Sequence, residues 1–221
     1  MLDSFVQNQS IVYKILTNSL DNDKLSHAYL FETNGNGQAY DMAIAFSKSI
    51  LCPNKYINNL KCVNCTQCNK IDRKEFSEFV IIEPDGMWIK KEQLDMLQKQ
   101  FETKGIESEK RVYIINHAEK LNIAAANSIL KFLEEPESNI IAILITDNRY
   151  QLLDTIVSRC QIVSFHNSFN VENNKFYTLL RTMLSNPTVE VMNDDDLESY
   201  LTASIEFVKS MEEKRFNIIC F

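Results

Sequence analysis

Glycine and proline are scarce in this chain, with four of each in 221 residues. That excludes linker-rich, collagen-like and low-complexity architectures. No internal repeat is present. Long apolar runs are also missing. IIAILI (140–145) is among the longest, far short of the roughly 18–20 residues that cross a bilayer as a helix. The N-terminus, MLDSFVQNQS, has neither a basic region nor an apolar stretch. No signal peptide is therefore expected, and a cytoplasmic location is the default. Positive charge is in deficit. Lys and Arg number 23 against 30 Asp and Glu, a net charge of −7, and the pI is near 5.1. Such a chain is not expected to bind nucleic acid through bulk electrostatics, which leaves only a local basic patch for that role. Lys90, Lys91, Lys110, Arg111, Lys120 and Lys131 are scattered and read as solvated faces.

Apolar residues make up 45% of the chain, enough for a core in one large domain, alone or with a small second one. Short apolar runs alternate with helix-like stretches. HAYLF (27–31), FVIIEP (79–84), RVYIIN (111–116), NIIAILIT (139–146) and QIVSF (161–165) read as strands. Between them, Val12, Ile15, Leu16 and Leu20 share one helical face, as do Met42, Ala45, Phe46 and Ile50. So do Leu94, Leu97 and Phe101, and Leu121, Ala125, Ile129 and Leu133, with a short helix near 150–157. Continuous apolar strands separated by helices predict an α/β fold with a parallel five-stranded sheet covered on both faces. Ligands of such sheets sit at the C-terminal ends of the strands. After Phe165 the pattern changes to two helical stretches, 171–184 and 195–214, with no strand between them. The expected domains are therefore 1–166 and a small helical one at 167–221.

Cysteine is the residue in surplus, with six in the chain. Cys52, Cys62, Cys65 and Cys68 form the spacing C-x9-C-x2-C-x2-C, while Cys160 and Cys220 stand apart. Two CxxC steps sharing Cys65 let a turn present thiolates to one tetrahedral ion, and Cys52 closes the shell. Four thiolates leave no open position, so the module at 52–68 is expected to hold a structural Zn²⁺ and to staple the insertion to the main domain. An iron–sulfur cluster or disulfides are the alternatives.

The stretch ETNGNGQAYD (32–41) lies between the first strand and its helix, the layout of a phosphate-binding loop. It contains no lysine, and no serine or threonine follows Gly37.

Four landmarks occur in order: LSHAYLFETNGNGQ, the four-cysteine insertion, ANSILKFLEEPE (126–137) and TIVSRCQIVSF (155–165). Together, over roughly residues 5 to 166, they closely resemble the clamp-loader ATPase-like subunits of bacterial DNA polymerase III. The resemblance implies an AAA+ fold, followed by a three-helix lid and a helical collar. This chain stops after two expected lid helices, so the collar is expected to be absent and the isolated chain monomeric.

Two kinds of subunit share the pattern. The gamma/tau type hydrolyses ATP, and the delta-prime type has the same fold and usually cannot. Aligned on HAYLF, the family's Gly-Lys-Thr falls on Gly37, Gln38 and Ala39. Gln38 supplies no cation and Ala39 no magnesium ligand, while Gly35 and Gly37 still allow the turn. Losing a charge-assisted contact and a metal ligand removes about 1.5–3 kcal/mol each, at least ~100-fold in affinity. The family's acidic pair at the end of the third strand is replaced by Asn116 and His117. His117 by itself reads as a polar residue in a turn. Neither ATP nor Mg²⁺ is expected to bind, and no independent ATPase activity is expected.

Read alone, Arg159 is a surface ion-pair partner. In the family, the arginine of Ser158-Arg159-Cys160 reaches the nucleotide of the neighbouring subunit, which makes Arg159 the candidate catalytic residue, acting in trans. Ser158 and Cys160 read as positional. Glu134 and Glu135 shape a helix end or pair with a basic partner. The resemblance implies gamma/tau and delta subunits as partners, with the sliding clamp and primed DNA reached through the assembled complex, and no membrane. The alternatives are an ATP-hydrolysing subunit of gamma/tau type and a zinc-dependent interaction module unrelated to replication.

Overall fold

The computed structural model describes residues 2–53, 56–57, 60–62, 65–102, 108–136 and 139–165. The two expected helices after residue 166 lie outside the described residues, as does Cys220. Helix α1 (Ser10–Asp21) buries Val12 and Leu16, one turn apart. It ends where Asn22 Nδ2 donates to the Asn18 carbonyl at 2.8 Å and Asp23 turns left-handed at φ 49°. Strand β1 (Ala28–Glu32) is buried along its whole length. Helix α2 (Gln38–Leu51) stops as Cys52 becomes extended, which suits the residue before Pro53.

The cysteine insertion comprises a small hairpin, β2 (Tyr56–Ile57) and β3 (Leu60–Lys61), and helix α3 (Thr66–Asp72). Strand β4 (Phe79–Ile82) is shorter than its apolar run suggests. Glu83 and Pro84 fall outside it, and proline has no N–H to continue the ladder. Helix α4 (Lys91–Glu102), strand β5 (Arg111–Ile115), helix α5 (Ile123–Glu134) and strand β6 (Ile140–Thr146) follow. The side chain of Asn122 caps α5 by accepting the Ala125 N–H at 2.8 Å. The helix expected near 150–157 is two shorter pieces, a 3-10 turn at Arg149–Gln151 and α6 (Asp154–Val157). Asn148 caps the first by accepting from Tyr150 N at 2.9 Å. Extended backbone at Leu152 and Leu153 then separates the two pieces. Strand β7 (Gln161–Ser164) completes the sheet.

The five strands run in the order β4-β5-β6-β1-β7, all parallel. The expected parallel sheet is thus present. Successive side chains alternate between its faces. Tyr29, Phe31, Ile143 and Ile145 join α1 and α2 in one core cluster. Ala28, Leu30, Ala142 and Leu144 join α4 and α5 in the other. The centre of the sheet is therefore apolar on both faces. Polar chemistry is confined to the strand ends, and the C-terminal ends of β1, β5 and β6 meet at one cleft.

Candidate functional site

The loop after β1 is built by its own side chains. Thr33 N donates to the Thr146 carbonyl at 2.8 Å, and Asn36 N donates back to the Thr33 carbonyl at 2.8 Å. Asn34 and Gly35 take φ 48° and 77°, where glycine is unstrained. Asn36 Oδ1 accepts from Gln38 N at 2.8 Å, so a side chain occupies a first-turn N–H of α2. Asn34 Nδ2 donates to the Phe165 carbonyl at 3.1 Å, which ties the loop to the chain after β7. Gln38 follows at the start of α2, and Ala39 is buried with 1% exposure.

A cleft of about 200 Å³ opens beside this loop, lined by Thr33, Gly37, Ala39 and Tyr40 on one side and Asn116, His117, Thr146 and Asp147 on the other. Among the described residues, none that lines it is lysine or arginine. His117 has left-handed backbone, φ 57° and ψ 56°, and its Nδ1 lies 3.1 Å from Glu119 Oε1. It is a partnered residue in a turn, as its sequence context suggests. Asp147 accepts a short hydrogen bond from Thr33 Oγ1. Glu32 turns to other partners. Its carboxylate accepts from Ser164 Oγ at 3.0 Å and lies 3.8 Å from Arg149 Nε.

Arg159 lies in the short connection between α6 and β7. Its Nη2 is 2.9 Å from Glu134 Oε1, with the side chains 34% and 49% exposed, and its Nη1 donates to the Thr155 carbonyl at 2.8 Å. The fork is thus oriented by α6 and by the end of α5 and is partly exposed. Burial pushes the neighbouring Cys160 thiol up to about 12, so it stays protonated at neutral pH and inert.

The four clustered cysteines converge. Cys52 Sγ is 3.7 Å from Cys65 Sγ, Cys62 Sγ is 3.9 Å from Cys68 Sγ, and all four lie within 4.8 Å of one another. A tetrahedral ion with ~2.3 Å bonds to sulfur spaces its ligands about 3.8 Å apart, so the set fits zinc. The separations are far beyond the ~2.05 Å of a disulfide. Burial resists ionisation of Cys65, but hydrogen bonds from the Cys68 backbone and from the surrounding thiols outweigh it and bring Cys65 down to about 7. Burial, then the Cys65 and Cys52 thiols, pushes Cys68 up. One thiolate is thus favoured at neutral pH, and the crowding that opposes further ionisation is what a dication relieves. Lys48 and Asp72 form an ion pair between α2 and α3, a second link between the insertion and the main domain.

The sequence profile of the family described as "DNA polymerase III, delta subunit" matches residues 8–169. The delta' subunit of DNA polymerase III from Bacillus subtilis is 43% identical over 157 residues, which cover 71% of this chain and 47% of that protein. The chain belongs to the delta-prime family of DNA polymerase III clamp-loader subunits.

The family relationship extends to the tau subunit of B. subtilis, 33% identical over 162 residues, covering 72% of this chain and 28% of that one. The chain thus spans about half the length of its delta' relative or less of the others it matches. In three dimensions, a gamma subunit-related protein from Thermotoga maritima superposes with a TM-score of 0.54 at 16% identity, covering 85% of this chain and 56% of that one. That likeness concerns the fold, which the delta-prime family shares with its relatives. The stretch matched by the family includes the loop after β1, all four clustered cysteines and Arg159. These lie in three places. The loop and the Asn116–His117 pair share one cleft, the cysteines close the insertion, and Arg159 sits on a separate surface. Thr33, Glu119 and Asp147 escape a reading of the sequence, because single polar residues at strand ends carry no motif. Glu134 as the partner of Arg159 was half visible, since an acid at a helix end suits either a cap or a basic partner.

Proposed function

We propose that this chain is a delta-prime-type clamp-loader subunit that does not hydrolyse ATP and that lends Arg159 to the ATP site of an adjacent gamma/tau-type subunit. Its other partners are the delta subunit, the sliding clamp and primed DNA, engaged through the assembled loader. Within that assembly it serves as a stator, a rigid support for opening of the clamp. The observation that carries the reading is the start of α2. Gly35 takes left-handed backbone in the loop, Gly37 is already helical, and the next two positions are Gln38 and a buried Ala39. A working loop needs a lysine for the β- and γ-phosphates and a hydroxyl for magnesium at those places. The opposite wall offers Asn116 and His117 where hydrolysis needs carboxylates for the metal and the attacking water.

Arginine suits the remaining role. It keeps its charge, its planar fork matches phosphate oxygens, and an arginine supplied in trans accelerates hydrolysis by about 10³–10⁵. The partial exposure of the Arg159 side chain, 34%, is compatible with this reading, which requires it to leave Glu134. The four cysteines are proposed to hold one structural Zn²⁺.

The test is Arg159→Ala in a loader reconstituted from full-length subunits. Assembly is expected to persist, with DNA-stimulated ATP hydrolysis reduced at least ~10³-fold at the site this subunit completes. Unchanged hydrolysis would remove the arginine from the mechanism. A saturable Mg-ATP titration of the isolated chain would instead favour an ATP-hydrolysing subunit.

A further inference from the structure

We infer that His117, Glu119 and Asp147 form a binding site for one divalent transition-metal ion, separate from the cysteine cluster and independent of the clamp-loader reading. The backbone brings the three together. Strand β5 ends at Ile115, and His117 then opens a 3-10 turn, Ala118–Lys120, that folds Glu119 back onto it. Strand β6 is the next strand over, with Ile115 opposite Leu144, so its exit delivers Asp147 to the same place. One ligand atom from each residue lies within 4.8 Å of the other two. Small side-chain rotations bring atoms at that spacing onto one ion with bonds of ~2.0–2.2 Å.

Glu119 supplies an independent observation. Its side chain is only 12% exposed, and its Oε2 is buried with no hydrogen-bond partner. A carboxylate oxygen without a partner away from water is costly, and a bound cation is the partner it lacks. Asp147 is oriented from outside the triad by Thr33 Oγ1, the kind of supporting hydrogen bond that holds metal ligands in place. The cleft reaches His117 and Asp147, and no lysine or arginine lines it. An ion therefore has an entry path, and no described cation lines it. One imidazole with two carboxylates favours Zn²⁺, Co²⁺ or Mn²⁺ over the all-oxygen preferences of Mg²⁺ and Ca²⁺ or the sulfur preference of Cu⁺. Three protein ligands leave a coordination position open toward the cleft.

The test is a Co²⁺ titration of the chain loaded with a single equivalent of zinc, which the four thiolates take first, followed by visible absorption. Cobalt on the cysteines announces itself by strong sulfur-to-metal charge transfer. Cobalt on the triad gives only weak d–d bands. We expect one equivalent of the second kind, with affinity reduced at least ~10-fold in both H117A and D147N and unchanged circular dichroism. Asp147 is exposed, so D147N keeps the fold even if H117A disturbs the turn. Absence of a sulfur-free equivalent, or one that survives both substitutions, overturns the site.

Discussion

Ala39 shows how one buried position constrains nucleotide chemistry. In a working phosphate loop this place carries a hydroxyl, and here it is a methyl group with 1% exposure inside the α2 core. Ala39→Thr adds two heavy atoms at a buried position that packs in the α2 core and borders the cleft. It is expected to cost about 1–3 kcal/mol, read as a lower midpoint in urea unfolding. A variant as stable as the parent would mean that the position has room, and that alanine there is no packing adaptation. Gln38 is only half-buried, so the same argument does not reach it. At this scale the sequence alone identified what the loop lacks, because charge and metal-ligating capacity belong to residue types. It did not identify what the cleft holds instead. Glu119 and Asp147 are 28 residues apart in the chain and become neighbours only through the pairing of β5 with β6.

The cysteine insertion is the element most dependent on something other than its own backbone. Helix α3 has seven residues, and its companion hairpin has strands of two residues each. Isolated pieces of that size do not hold together in water. Four ties are present among the described residues: the convergence of the thiols, the Cys65 cap on the Cys68 N–H at 3.4 Å, the Lys48–Asp72 pair, and Ile71, buried in the main core. Stripping the metal with a chelator under reducing conditions is expected to open residues 56–72 to fast amide exchange. The five-stranded sheet should keep its protection, because Ile71 is the one described residue of 56–72 that enters its two cores. Exchange that stays slow in α3 after metal loss would show that packing alone holds the insertion. Zinc content should fall from one equivalent to none in the same experiment. The spacing of the cysteines announced the module, since CxxC steps are local. The β2–β3 hairpin went unseen, because two-residue strands leave no periodic pattern.

At the scale of the whole fold, Phe165 ties the end of the sheet to its first strand. It is fully buried, its ring centroid lies 5.3 Å from that of Phe31, and its backbone N–H donates to the Glu32 carbonyl at 2.8 Å. Its carbonyl also receives Asn34 Nδ2, so the last described residue anchors the first functional loop. Phe165→Ala is expected to cost about 3–5 kcal/mol, a large share of the ~5–15 kcal/mol that a domain of this kind has. Equilibrium urea unfolding measures it, and a loss below ~1 kcal/mol would show that Phe165 is not part of the core. The sequence by itself determined the α/β class, the sites of the five sheet strands and of the longer helices between them, and the grouping of the cysteines. Each of these is written in local composition and in periods of 2 or 3.6 residues. Only the tertiary structure decided the strand order, the pairing of Arg159 with Glu134 and the meeting of His117, Glu119 and Asp147. Those depend on which distant strand ends become neighbours, and crossover connections through both layers of helices settle that.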